Sequence, residues 1–234
     1  MLNGRDIDEY RRLLEELNRI AQEDLAALLR RLRHDDPEEL YAALNAGVPE
    51  IVGAYQAMAA DSAAVFYENT GQAVFDVAAV RAASQVNRQA LGSAIRWAVF
   101  SPASKNVAGR LAGVIQKHVM SGSRSYILEQ QEFQERGWWR HAQPGACAFC
   151  RMLATRSVRE WGEYTGVSAQ PEKFHDHCRC VPVLASEYEI PSYVEKWDEE
   201  YERAAKIVER GNGSRSDFKG ILSLMRADGG DGSH

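Results

Sequence analysis

Cys147-Ala-Phe-Cys150 and His175-Asp-His177-Cys178-Arg-Cys180 hold all four cysteines of the chain and two of its six histidines. A CxxC turn lets two thiolates point at one metal ion, and HxxC or CxC supplies a second local pair. Structural zinc sites are built this way, from thiolate sulfur and imidazole nitrogen in short pairs. Cys147, Cys150, His175, Cys178 and Cys180 are therefore the candidate ligands, one more than a tetrahedral ion needs, and His177 is a bystander or supports a ligand. A disulfide such as Cys147–Cys180, a redox dithiol and unrelated buried thiols are the other readings of the same residues. No thioredoxin-like βαβ pattern surrounds the CxxC. No HExxH or HxE motif supplies the acid–base group of a catalytic zinc, so a structural role is expected.

Around this segment the sequence reads as mainly α, with long helices and a small β/loop zinc-binding-like subdomain, an α+β arrangement. The 234 residues are 45% hydrophobic, ordinary for a globular protein. The opening residues (MLNGRDIDEYRR) lack a signal-peptide core, and Arg96 interrupts the most apolar run. No membrane association and a reducing cytosolic compartment are expected, which favours metal over disulfide. Three regions are expected: acidic helices over 1–70, a core over 71–190 that includes the cysteine segment, and a carboxy-terminal helix, linker and tail over 191–234.

Taken in order, apolar residues at helical spacing predict a helix from Asp6 to about His34. Asp36-Pro37 starts a short second helix ending by Gly47, and Pro49 starts a third, reaching Asn69. One helix is expected over Gln72–Phe100, and another over Lys105–Glu135 that Ser121-Gly-Ser kinks or breaks. Trp138-Trp139-Arg140 reads as a strand whose tryptophans pack in a core, Arg151–Arg159 as a strand or hairpin, and Glu160–Phe174 as loop. Val181-Pro182-Val183 reads as an edge strand. A helix follows from Pro191 to about Glu209. A Gly-Asn-Gly-Ser linker then leads to a small amphipathic helix whose Phe218, Ile221, Leu222 and Met225 suit docking on another protein, with packing back on its own domain the other reading.

Charge is unevenly placed. Residues 1–80 carry 7 basic and 15 acidic side chains, whereas 81–128 carry 7 basic and none acidic. Arg110, Lys117 and Arg124 recur every seven residues, as do Arg81 and Arg88. Seven residues bring a helix back to within ~20° of the same direction. The expected result is a basic stripe that meets DNA phosphates or an acidic protein surface, or that pairs internally with the acidic first region.

The segment Trp138-Trp-Arg-His-Ala-Gln-Pro-Gly-Ala-Cys147-Ala-Phe-Cys150-Arg-Met-Leu-Ala-Thr-Arg, followed by Phe174-His175-Asp-His177-Cys178-Arg-Cys180-Val-Pro-Val, resembles the Mu F-like (MuF) minor head proteins of tailed phages. The wording is most similar to versions from actinobacteriophages. The shared pattern is CxxC, an insert, HxxCxC and a short proline-containing strand, preceded by helices; it covers about 45 residues. The resemblance implies a virion component and not an enzyme: a minor capsid protein in the head interior or at the portal vertex. It would be made in the host cytoplasm and would act in head morphogenesis and in genome packaging or DNA ejection. It implies the portal protein and capsid or scaffold proteins as partners, with double-stranded DNA a further candidate. A zinc-stabilised DNA-binding protein or a treble-clef-type nuclease is the competing class, with His175 or His177 as its base.

Overall fold

A computed structural model of the chain describes residues 2–32, 36–101, 106–130, 135, 137–155, 174 and 178–229, without the side chains of 187, 228 and 229. It is mainly helical, with one two-stranded sheet. The chain forms two compact units, one from residues 1–8, 132–168 and 179–234, the other from 9–131 and 169–178. These units do not follow the three consecutive regions read from composition, because the chain returns to each of them.

The helical unit contains most of α1 (Gly4–Arg31), then α2 (Pro37–Asn69), α3 (Val77–Ala83), α4 (Arg88–Phe100) and α5 (Val107–Leu128). Asp36 caps α2 by accepting from the Glu38 amide, and Pro37 follows at the first helical position. The helix then continues through Pro49 to Asn69, so the expected stop at Gly47 does not occur. Val48, Pro49 and Val52 are all buried; burial on both sides of the proline outweighs the one backbone bond it forfeits. Gly47 serves instead as a point of close approach between helices, since a Cβ there would stand 2.9 Å from the Leu28 side chain of α1.

The single helix expected over Gln72–Phe100 is two. Asp76 caps α3 and Asn87 caps α4, each with its side-chain oxygen on amides of the following turn. The break between them is satisfied from α2, where the Gln56 amide donates to the carbonyls of Ala83 at 2.8 Å and Gln85 at 2.9 Å. Ser121-Gly-Ser does not break α5, which runs continuously from Val107 to Leu128. Gly122 is instead where α5 meets α2, since a Cβ there would lie 2.1 Å from the Gln56 carbonyl oxygen. Tyr10 of α1 stacks on Phe66 at 4.1 Å and shares a 2.7 Å hydrogen bond with Ser123 of α5. Tyr126 of α5 donates to the Val74 carbonyl, tying down the turn after α2.

The other unit contains the sheet. Strands β1 (Trp138–His141) and β2 (Val181–Leu184) pair antiparallel, with Arg140 opposite Pro182. In a two-stranded sheet each strand keeps an open edge, which accommodates a proline that has no N–H to donate. Every residue of both strands is buried, Trp138 and Trp139 among them, so the tryptophan pair is core. Residues Ala148–Ala154 form a helix, α6, where a strand or hairpin was expected after Cys150. Ala, Met and Leu are strong helix formers, and Ala148 and Met152, one turn apart, share a buried face.

That face joins α7 (Ser192–Arg210) and α8 (Phe218–Gly229) around Tyr201, Ala204, Ala205, Ile221 and Met225. The expected docking helix is thus already packed. Ile221 and Met225 are fully buried in their own unit, Leu222 lies against the same core, and Phe218 is exposed. Its supposed linker is a tight turn: Asn212 takes a positive φ of 66°, and the Gly213 amide donates to the Val208 carbonyl. Arg215 then grips Glu202 and Glu209 of α7. Among the described residues no helix is long and apolar enough to cross a membrane.

Candidate metal centre

The Pro144-Gly145 turn closes with the Ala146 amide on the Gln143 carbonyl and delivers the chain to Cys147. Cys147 is the N-cap of α6, extended at φ −62° and ψ 159°, and Cys150 lies one turn on. CxxC is therefore the first turn of a helix, a geometry in which i and i+3 share a face. Cys178 and Cys180 come from the stretch entering β2.

The Sγ atoms of Cys150, Cys178 and Cys180 all lie within 4.8 Å of one another, and all three residues are buried. All four cysteines are free thiols. Zinc–thiolate bonds of ~2.3 Å in a tetrahedron put sulfurs ~3.8 Å apart, so a small contraction would seat an ion among these three. The donor set and its burial fit a metal. Cys147 stands outside this cluster, partly exposed. His175 and His177 lie outside the described residues, as do Arg156–Arg159 and nearly all of the expected Glu160–Phe174 loop.

The structure also brings to the site residues that the sequence did not place there. Arg124 of α5 is 1% exposed, donates to the Cys178 carbonyl at 2.7 Å and lies 4.0 Å over the Phe174 ring. A guanidinium on a ligand's carbonyl fixes the backbone from which the thiol projects and adds a positive charge beside thiolates, as supporting residues do at metal sites. Arg151, next to Cys150, donates to the Met225 carbonyl at 2.8 Å and lies 3.7 Å from Glu200, joining α6 to α8 and α7. At the end of β1, His141 Nδ1 shares a 2.9 Å hydrogen bond with the Tyr188 hydroxyl, and Asp8 lies 3.7 Å from its Nε2. Burial pushes the Tyr188 phenol well above its usual range, and the nearby Tyr193, Cys180 and Asp8 add to the shift.

A profile of the VG15 protein family matches residues 1–204. The chain belongs to the VG15 family. That family is phage-associated, so the coarse part of the resemblance, a phage protein, holds. The matched span takes in the helical unit, the cysteine cluster, both strands and most of α7. No curated protein and no solved structure matches the chain.

The expected basic stripe has a different fate in this VG15-family chain. Arg124 is buried as described. Arg110 donates to the carbonyls of Ala98 and Ser101 at the end of α4 and stacks over Trp97 at 5.3 Å. Arg88 pairs with Glu50 at 3.0 Å on the surface. Arg81 is exposed, and Lys117 is half-buried between α4 and α5. Seven-residue spacing put Arg110, Lys117 and Arg124 on one side of α5, but neighbouring elements cover both ends of that row. An arginine amid apolar residues in a helix that also carries Gly122 and Ser123 was the available signal for a buried guanidinium.

Proposed function

We propose that this protein is a structural component of a tailed-phage head, a minor head protein at the portal vertex, and that a structural zinc ion holds its cysteine segment. It acts by binding and not by catalysis, in head morphogenesis and in genome packaging or delivery. The supporting observation is that Cys150 of the CxxC and both cysteines of the CxC, residues that carry the MuF-like resemblance, converge in one buried thiol cluster within a VG15-family chain. Cys150, Cys178 and Cys180 would supply three ligands, with Cys147 or His175 completing the set. Thiolates in a buried tetrahedral site select zinc over the harder cations. The ion would fasten α6 to the start of β2, where the two short strands offer little apolar surface of their own.

The experiment is an amber mutation in the gene of the parent phage, with mass spectrometry of purified wild-type particles. The protein is expected in intact virions at a few copies per particle, and heads without it should fail to fill or fail to deliver DNA. Its absence from virions, with normal burst size in the amber strain, would overturn the reading. Metal-dependent cleavage of DNA by the pure protein, lost in His175→Ala, would favour the nuclease class instead.

A further inference from the structure

The second half of α2 and the end of α7 carry matching faces. On α2, Asp61, Val65 and Glu68 stand at i, i+4 and i+7, so they share one side of the helix. All three are exposed, Val65 by 50%, and Met58, 48% exposed, lies about one turn earlier. On α7, Arg203, Ile207 and Arg210 repeat that spacing and are exposed too, Ile207 by 51%. One face reads acid, apolar, acid; the other reads base, apolar, base. In both, the outer residues stand about 10 Å apart along the helix axis.

Neither face is neutralised by its surroundings. Among the described residues, Asp61, Glu68, Arg203 and Arg210 make no side-chain ion pair or hydrogen bond. α2 carries five acidic side chains and no basic one. Glu68 lies in its last turn, where the helix dipole disfavours a carboxylate and a cation from outside would relieve it. On α7 the nearby carboxylates of Glu202 and Glu209 are held by Arg215, which leaves Arg203, Lys206 and Arg210 as a cationic face.

These patterns select the occupant. A nucleic acid duplex calls for a run of cations along its phosphates, and half-exposed Ile207 interrupts this one. An isoleucine flanked by two arginines fits a helix that sets an apolar residue between two acids at the same spacing, and this chain supplies that helix. Opposite charges around an apolar contact fix register and reject wrong partners.

We propose that two copies of this chain associate through the Asp61, Val65 and Glu68 face of α2 on one and the Arg203, Ile207 and Arg210 face of α7 on the other. Val65 meets Ile207, and each arginine meets a carboxylate. The two patches differ, so the contact closes as a reciprocal pair or runs head to tail. About two helix turns on each side make a small interface, so the association is weak. This goes beyond the head-protein reading and does not rest on it.

The test is sedimentation velocity of the full-length protein at about 100 μM in low salt. Wild type should form dimers or larger species, which about 0.5 M salt disperses. Arg203→Glu with Arg210→Glu should weaken association at least ~tenfold, and so should Asp61→Lys with Glu68→Lys. Mixing the two double variants should restore it, because each then offers the face that the other needs. Arg81→Glu, outside both faces, should associate as wild type does. Circular-dichroism melting checks that each variant folds; one that does not is replaced by its glutamine or asparagine counterpart, with the same loss expected. A monomeric wild type, association indifferent to both reversals, or no recovery on mixing would overturn the proposal. So would a duplex oligonucleotide that binds through Arg203 and Arg210 while the protein stays monomeric.

Discussion

Replacing Gly53 and Gly122 by alanine, one at a time, should move the melting temperature in opposite directions. Both glycines sit inside long helices, where alanine is intrinsically better by ~1 kcal/mol. At Gly53 the new Cβ meets Val86 Cγ2 at 3.6 Å, an ordinary contact, so the propensity gain survives. At Gly122 the Cβ would lie 2.1 Å from the Gln56 carbonyl oxygen and 3.0 Å from its carbon. Normal contact needs ~3.5 Å, so α2 and α5 must part by more than ~1 Å. Overpacking of this kind costs ~1–3 kcal/mol. Moving Gln56 also strains its side-chain bonds to Ala83 and Gln85, worth about 1 kcal/mol each. The net loss is roughly 2–4 kcal/mol. At ~2–4 °C per kcal/mol for a chain of this size, Gly122→Ala should melt roughly 4–16 °C lower and Gly53→Ala about 2–4 °C higher. Thermal denaturation followed by circular dichroism reads both. A Gly122→Ala protein as stable as wild type would refute the close α2–α5 approach, and with it the path by which α5 presents Arg124 to Cys178.

Arg124→Ala should cost about 3 kcal/mol in denaturant unfolding, because it leaves the buried Cys178 carbonyl without its donor and empties the space over Phe174. Arg151→Ala should cost ~3–5 kcal/mol, stranding Glu200 and the Met225 carbonyl, and should raise amide exchange in α8 more than in α5. The phenols of Tyr10 and Tyr67 are pushed up chiefly by burial, and Tyr55 is raised to about 12 by burial and Asp24. For groups raised in the folded state, the stabilisation is complete below the unfolded phenol value near 10. It is lost as pH climbs towards the folded value. Absorbance titration at alkaline pH should therefore show these tyrosines ionising late, together with unfolding; early, reversible ionisation of all nine tyrosines in folded protein would contradict their burial.

Much of the fold was legible because its signals are local. Asp36-Pro37 starts α2, the apolar period of α7 was visible from Val194 to Val208, and Val181-Pro182-Val183 could only be an edge strand. The cysteine cluster was legible in part: the spacing brought Cys150, Cys178 and Cys180 together, while Cys147 stands outside their cluster. What was missed depends on distant partners. Gly47 and Pro49 look like a helix end until Leu28 and the buried Val48–Val52 face are in place. Gly122 looks like a kink until Gln56 lies against it. The start of α3 was written in Asp76 and the break before α4 in Asn87, two caps that alanine-rich flanks obscured. Arg124 read as part of a basic stripe, because nothing in a linear pattern says which guanidinium will find a buried carbonyl. Ile221 and Met225 suggested docking on another protein, yet Ala148 and Met152, some seventy residues earlier, supply the surface they cover.

Whether a metal holds the cysteine cluster is read most directly from the metal content of full-length protein purified under reducing conditions without chelator, measured by inductively coupled plasma mass spectrometry. A structural zinc site predicts about one zinc per chain, falling towards zero in Cys150→Ser and in Cys180→Ser. Less than about one zinc per four chains, with the thiols still reduced, would contradict it.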